Sequence, residues 1–284
     1  MSREKLFGMH IDALRMLDVI QRLHSWIQYR GTCRYVVTPN VDHAVLYQEH
    51  PGLRRAYADA SLVLVDGFPL LAAARFLRRQ IPERVPGSDL VPALFESTNS
   101  AKIKNGTGDN SSLRVFLLGA GPGVAERAAA NIHRQWSRVN VVGTYSPPLG
   151  FEHDPVENRA ILSRIAACKP DVLVVGLGAP KQELWVHAHR FEIAAPVALC
   201  VGATIDFLAG EKQRAPVWMR RCGVEWLHRV ISEPRRLAKR YLRDALIFPQ
   251  LVWRELINGG GAVTPGRENA DPWTGRSSTL PENV

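Results

Sequence analysis

The strongest constraint on the fold is a repeated change of period along the chain. Short runs of β-branched and apolar residues alternate with longer segments of helical spacing. RYVVT (34–38), LVLV (62–65), RVFLLG (114–119), NVVGTY (140–145), VLVVG (172–176) and VALCVG (197–202) are predicted strands. Helices are predicted near 10–29, 41–50, 67–79, 88–98, 123–137, 155–168 and 181–192. Strands that are apolar on both faces, each followed by a helix, predict a mostly parallel α/β sheet covered on both sides. A chain of 284 residues is long enough for one large α/β core or two smaller ones.

After Phe207 the pattern changes. Residues 211–257 hold eleven Lys and Arg against five Asp and Glu, which accounts for most of the net charge of +9. Trp218, Trp226, Leu237, Tyr241, Phe248 and Trp253 interleave with the cations. Such a segment reads as a membrane-facing amphipathic surface, as a packed helix pair with a solvated charged face, or as a nucleic-acid surface. Neither zinc-finger spacing nor an RNA-binding signature supports the last of these. Residues 258–284 are rich in Gly, Pro, Ser and Asn and are expected to be disordered. Cys33, Cys168, Cys200 and Cys222 are scattered and read as reduced thiols of a cytoplasmic protein. The first residues carry acidic groups and no continuous apolar core, unlike a signal peptide. No window reaches the ~18 apolar residues of a membrane span.

Two glycine turns stand between a predicted strand and a predicted helix. GLGAPKQE (176–183) contributes Gly178, Pro180 at the expected N1 position, Lys181, Gln182 and Glu183. GAGPGV (119–124) contributes Gly119 and Gly121. A helix N-terminus behind such a turn suits a phosphate, and a plain tight bend accounts for the spacing equally well. A dinucleotide fingerprint needs a third small residue and an acid about 20 residues on. Val124 and Lys181 occupy the third positions and neither acid is present, so NAD is disfavoured.

Other polar residues fall at strand ends, where open α/β sheets bind ligands. Asp66 closes LVLV and reads as a general base or as a helix cap. Thr38, Asn40 and Asp42 follow RYVV and suit sugar hydroxyls or the capping of the next helix. His43 reads as a helix-surface residue. Asp206 follows VALCVG and reads as a base- or ribose-binding acid or as another cap. Ser88 or Asp89 is the expected cap of the helix over 88–98.

Taken in order, TPN (38–40), DG (66–67), ERVPGSDLVPAL (83–94), the two glycine turns, VGATIDFLAG (201–210) and EWLHRVISEPRRLAKRYL (225–242) resemble the WecG/TagA/CpsF glycosyltransferase family. The resemblance covers roughly residues 5–245. It implies a Rossmann-like core over 1–210 and a basic helical appendage over 211–257 that docks on the membrane and completes the site. It further implies inverting transfer of a hexose-type sugar from a UDP-sugar to a polyprenyl-diphosphate-linked acceptor, in bacterial surface-polysaccharide assembly. By position, Asp66 matches the general base, Thr38 and Asn40 the donor and acceptor pocket, Gln182 the residue beside the donor, and Asp206 the acid of its turn. Lys181 and the glycine turns with Gly119, Gly121 and Gly178 would meet the diphosphate. Arg214, Arg221 and Arg229 would meet the acceptor diphosphate. No metal or other cofactor, and no nucleic acid, is implied. The expected location is peripheral, on the cytoplasmic face of an anionic membrane, with room for a homo-oligomer. Val65 departs from the family pattern, which favours a small residue or proline before the DG pair. A non-catalytic UDP-sugar-binding protein is the alternative reading.

Overall fold

A computed structural model of the chain describes residues 2–100, 112–212, 214–216, 219 and 234–258. An antiparallel hairpin comes first, β1 (Arg3–Leu6) and β2 (Met9–Asp12). Then follow α1 (Met16–Tyr29), β3 (Arg34–Val37), α2 (Val41–Glu49), α3 (Pro51–Ala58), β4 (Leu62–Val63), α4 (Phe68–Phe76) and α5 (Gly87–Ser100). The second half contains β5 (Leu113–Gly119), α6 (Val124–Gln135), β6 (Val139–Tyr145), α7 (Pro155–Cys168), β7 (Val172–Gly176), α8 (Lys181–His189), β8 (Val197–Cys200) and α9 (Thr204–Leu208). A 24-residue helix, α10 (Pro234–Ile257), follows.

Six strands form one parallel sheet in the order β4-β3-β8-β7-β5-β6. Alternate residues of each strand serve opposite cores. Val37, Leu118, Val175 and Cys200 face α2, α3, α4, α7, α8 and the hairpin. Val36, Leu117, Val174 and Leu199 face α1, α5, α6 and α9. The mostly parallel sheet with helices on both faces is therefore the observed architecture. It explains why the strands show no polar alternation: both faces are buried.

Four departures from the sequence reading are seen. The helix expected from residue 10 starts at Met16, because residues 3–12 form the hairpin. Phe7 and Gly8, both at positive φ, make its two-residue turn. Buried Asp12 fastens it, accepting from Arg3 Nε at 2.9 Å and from the Val63 N–H at 2.9 Å. The single helix over 41–50 continues, after a break at His50, as α3, which starts with Pro51 at its N-terminus. Ser88 and Asp89 do not cap α5, since the helix already begins at Gly87 and the N–H of Leu90 is bonded to Pro86 O. Pro180 likewise stands one position earlier than expected, as the N-cap of α8.

The C-terminal helix is amphipathic. Leu251 is buried, and Ile247, Phe248 and Val252 pack on the core beside it. Phe248 meets Phe7 of the hairpin edge-on, with ring centroids 5.4 Å apart. Leu242, Leu246, Trp253, Leu256 and Ile257 line the opposite, exposed face. Among the described residues no helix is long and apolar enough to cross a membrane. Residues 101–111, Arg221, Arg229, Cys222 and the residues from 259 lie outside the described residues.

Candidate active site

The carboxyl ends of β3, β4, β5, β7 and β8 converge on one cavity of about 740 Å³. This volume suits a small-molecule ligand. The cavity sits where the sheet order reverses, between strands whose connections run to opposite edges. Thr38, Asn40, Asp66, Gly119, Gly121, Gly178, Lys181, Gln182 and Asp206 all line it. These residues are spread over 169 positions of sequence, and the parallel topology brings them together.

Close backbone packing sets the geometry of the glycine turns. Gly119 lies at φ +111°, and a Cβ there would stand 2.5 Å from Gly176 O. The next N–H, that of Ala120, bonds the same oxygen at 3.1 Å. Only glycine fits so tight a joint between β5 and β7. Gly178, at φ +82°, has open space where a Cβ would be. The turn 119–121 and the N-terminus of α8, with the positive end of its dipole, border the cavity, while the first-turn N–H groups of Val124 and Gln182 bond Gly121 O at 3.0 Å and Gly178 O at 2.9 Å.

Asp66 is held by its backbone, its N–H donating to Pro39 O at 2.7 Å. Gly67, rather than Asp66, is the N-cap of α4, so the cap reading does not describe this carboxylate. Asn40 does cap α2, accepting from the His43 N–H at 3.3 Å. Thr38 Oγ1 donates to Cys200 O at 3.2 Å, tying β3 to β8 below the cavity. Asp206 lies inside the first turn of α9, whose N-cap is Ala203, with Lys212 Nζ 3.9 Å away.

Beneath these residues runs a buried polar chain. The Gly202 N–H donates to Gln182 Oε1 at 3.1 Å, and Gln182 Nε2 donates to Glu183 Oε1 at 2.7 Å. His43 Nε2 meets the same carboxylate oxygen at 3.1 Å, and His43 Nδ1 lies 2.9 Å from Asn40 Oδ1. His43 is thus buried at 6 % exposure, and the expectation of a helix-surface histidine is corrected. Its position at N3 of α2 turns the ring inward, onto α8. Burial alone would push the imidazole down. The charge and hydrogen bond of Glu183, with Asp42 and Asp66, outweigh that and hold it above its ordinary value. Gln182 is 2 % exposed, and its carbonyl oxygen belongs to this chain rather than to the cavity.

Two of the expected cations have acidic partners within the fold. Lys181 Nζ is 2.5 Å from Glu152 Oε1 at the cavity wall, so its charge is already shared. Burial opposes ionisation of Glu152, but the Lys181 bond and charge prevail and draw it below its usual value. Arg214 faces the start of α5, donating to Ser88 O at 3.3 Å, Ser88 Oγ at 3.1 Å and Asp89 Oδ1 at 2.6 Å. It does not line the cavity. Lys212 and Arg240, not singled out in the sequence, do. Arg240 arrives on α10, which is latched to α2 by Arg243 Nη2 and Asp42 Oδ1 at 2.8 Å, with Arg240 Nη1 3.6 Å from Asp42 Oδ2. Sequence reading also missed the loop Pro147–Pro148–Leu149, which forms the mouth and exposes Leu149 almost fully. A proline pair next to an apolar residue and a glycine was its only signal. Among the described residues no three His, Cys, Asp or Glu side chains are grouped to hold a metal ion.

An open parallel sheet with two glycine turns and a carboxylate in one polar crevice defines an α/β protein of Rossmann-like fold with a ligand-sized cavity at its strand ends. The sequence profile of the Glycosyl transferase WecG/TagA/CpsF family matches residues 4–261, and the chain belongs to that family. It is 26 % identical over 252 residues to the N-acetylglucosaminyldiphosphoundecaprenol N-acetyl-beta-D-mannosaminyltransferase of Staphylococcus aureus strain MW2, covering 87 % of this chain and 91 % of that one. The protein of the same name from strain NCTC 8325 / PS 47 matches to the same extent.

Proposed function

We propose that this chain transfers a hexose-type sugar, with inversion, from a UDP-sugar to a sugar carried on a polyprenyl diphosphate. The names of the Staphylococcus aureus relatives support the acceptor class, an N-acetylglucosaminyl diphosphoundecaprenol. The observation that carries the reading is the shared cavity: a carboxylate, Asp66, the glycine turn that precedes α6 and the N-terminus of α8 open on the same space.

In this reading an acceptor hydroxyl attacks the anomeric carbon of the donor in line. Asp66 takes the hydroxyl proton as the new bond forms, a contribution of about 10²–10⁴-fold. The bond from C1 to the diphosphate oxygen breaks, and UDP leaves with its charge. Backbone N–H groups of the two glycine turns and of the α8 N-terminus stabilise that charge. Lys212 and Arg240 at the rim add positive potential. Thr38 and Asn40 hold sugar hydroxyls beside Asp66.

The lipid-linked acceptor brings the membrane into the reading. The exposed stripe of α10, Leu242, Leu246, Trp253, Leu256 and Ile257, follows helical spacing and suits the headgroup boundary. Exposed Lys239 and Arg254 on the same helix suit anionic lipid. The test is a screen of UDP-sugars for UDP release against a short-chain polyprenyl-diphosphate N-acetylglucosamine. Release that requires the acceptor is the expected result. Binding of UDP-sugars with no release for any donor contradicts transfer.

A further inference from the structure

The transferase reading makes no use of the best-connected buried titratable group, His43. Both of its ring nitrogens face acceptors. Nε2 is 3.1 Å from Glu183 Oε1, an oxygen that already accepts from Gln182 Nε2. Nδ1 is 2.9 Å from Asn40 Oδ1, an atom whose identity as oxygen is fixed by the His43 backbone N–H that donates to it. A neutral imidazole has one N–H and can serve only one of these oxygens. A ring with both nitrogens protonated serves both. The competing contact, from the Asn40 N–H to Nδ1, is longer at 3.4 Å and would be the partner of a neutral ring.

We propose that His43 is a positioning residue: a buried imidazolium, clamped between Glu183 and Asn40, that fixes the Asn40 carboxamide with its oxygen inward and its amide hydrogens toward the cavity beside Asp66. Asn40 lines the cavity, and its Cβ is 3.9 Å from where a Cβ on Gly67 would stand, next to Asp66. Loss of the ring proton removes the donor to Oδ1 and leaves Nδ1 as an acceptor for the Asn40 N–H. The carboxamide is then free to turn, and the cavity loses an oriented donor pair.

The surrounding charges agree in sign. Asp42 on the same helix, Glu183 on α8 and Asp66 after β4 all favour the cation. Arg240 and Arg243 of α10 pair with Asp42 and moderate its effect. Tyr57 of α3 and Cys200 of β8 are buried and titrate well above their ordinary values, so neither competes near neutrality. The positioning role rests on the transferase reading, while the imidazolium itself can be measured without it.

The full chain labelled with ¹⁵N-histidine gives the first readout. At about pH 8, ordinary histidines are neutral. One of the nine histidines is expected to keep imidazolium ring shifts there, and His43→Gln is expected to remove that signal. A spectrum of the unmodified chain with only neutral rings at that pH overturns the proposal. The second readout is the pH profile of UDP release. His43→Gln and Glu183→Gln are expected to lower kcat/KM by about tenfold or more near neutrality, and His43→Gln to abolish the alkaline fall in activity. A His43→Gln profile that keeps that alkaline fall overturns the proposal. An unmodified chain that releases no UDP refutes the transferase reading; an active chain with a neutral His43 refutes this one.

Discussion

Gly119 and Gly178 both sit at positive φ in the two turns of the cavity, but alanine should affect them differently. At Gly119 (φ +111°) the new Cβ would be 2.5 Å from Gly176 O and 2.6 Å from Gly176 C, both backbone atoms. Neither can rotate away. The strained backbone costs about 1–3 kcal/mol and forced overpacking a similar amount, together about 2–6 kcal/mol. At Gly178 (φ +82°) no atom lies within 4 Å of the added methyl, and only the left-handed backbone penalty of about 1–2 kcal/mol remains. At roughly 2–4 °C per kcal/mol for a chain of this class, Gly119→Ala should lower Tm by about 4–24 °C and Gly178→Ala by about 2–8 °C, with Gly119→Ala the larger loss. Thermal melts followed by circular dichroism read this directly. Ligand binding should show the reverse order among folded proteins: the Gly178 methyl projects into the turn that lines the cavity, so titration with UDP should weaken for Gly178→Ala. Equal Tm losses for the two variants, or a larger loss at Gly178, would refute the claim that the β5–β7 joint requires glycine by contact.

Asp244, buried on α10, provides a pH test. Burial, then the Asp42 charge, raise it from its ordinary 3.8 to about 6, against the pull of Arg243 and Arg240. A folded-state pKa above the unfolded value means the native chain binds more protons between about pH 4 and pH 6, so this group's contribution to stability falls as pH rises through that window. Asp244→Asn should therefore gain stability relative to the unmodified chain at pH 7.5 and show less gain at pH 4, by melts at both pH values. For the C-terminal helix, Leu246→Glu with Trp253→Glu should reduce co-sedimentation with anionic vesicles while leaving the Tm within about 2 °C, because both side chains are exposed. Added salt should weaken vesicle binding of the unmodified chain.

Most of the architecture was legible because parallel strands buried on both faces leave an unmistakable apolar run. VLVVG (172–176) is a strand over exactly those residues, and all six predicted strands exist. The hairpin was hidden because REKLFGMHID has only two turn residues, and its apolar Leu6, Met9 and Ile11 blend into the helix that follows. Strand-end logic gathered nine site candidates into one cavity, since the ends of parallel strands share an edge whatever their order. Side-chain direction was not legible. His43 and Glu183 look like ordinary helix residues in a string of letters, and only the packing of α2 on α8 joins them. Arg214 carried the right charge for a diphosphate, and its reach to Ser88 and Asp89, 126 and 125 positions away in sequence, leaves no local trace. Arg240 was one cation among eleven until α10 folded back over α2.

The most direct test of the account is Asp66→Asn, which keeps the shape and removes the charge. UDP-sugar affinity should remain within about threefold, because the helix N-termini are untouched, while turnover to the lipid-linked acceptor falls by about 10²–10⁴-fold. An Asp66→Asn protein that turns over at near the unmodified rate would contradict the central claim that this carboxylate receives the acceptor proton.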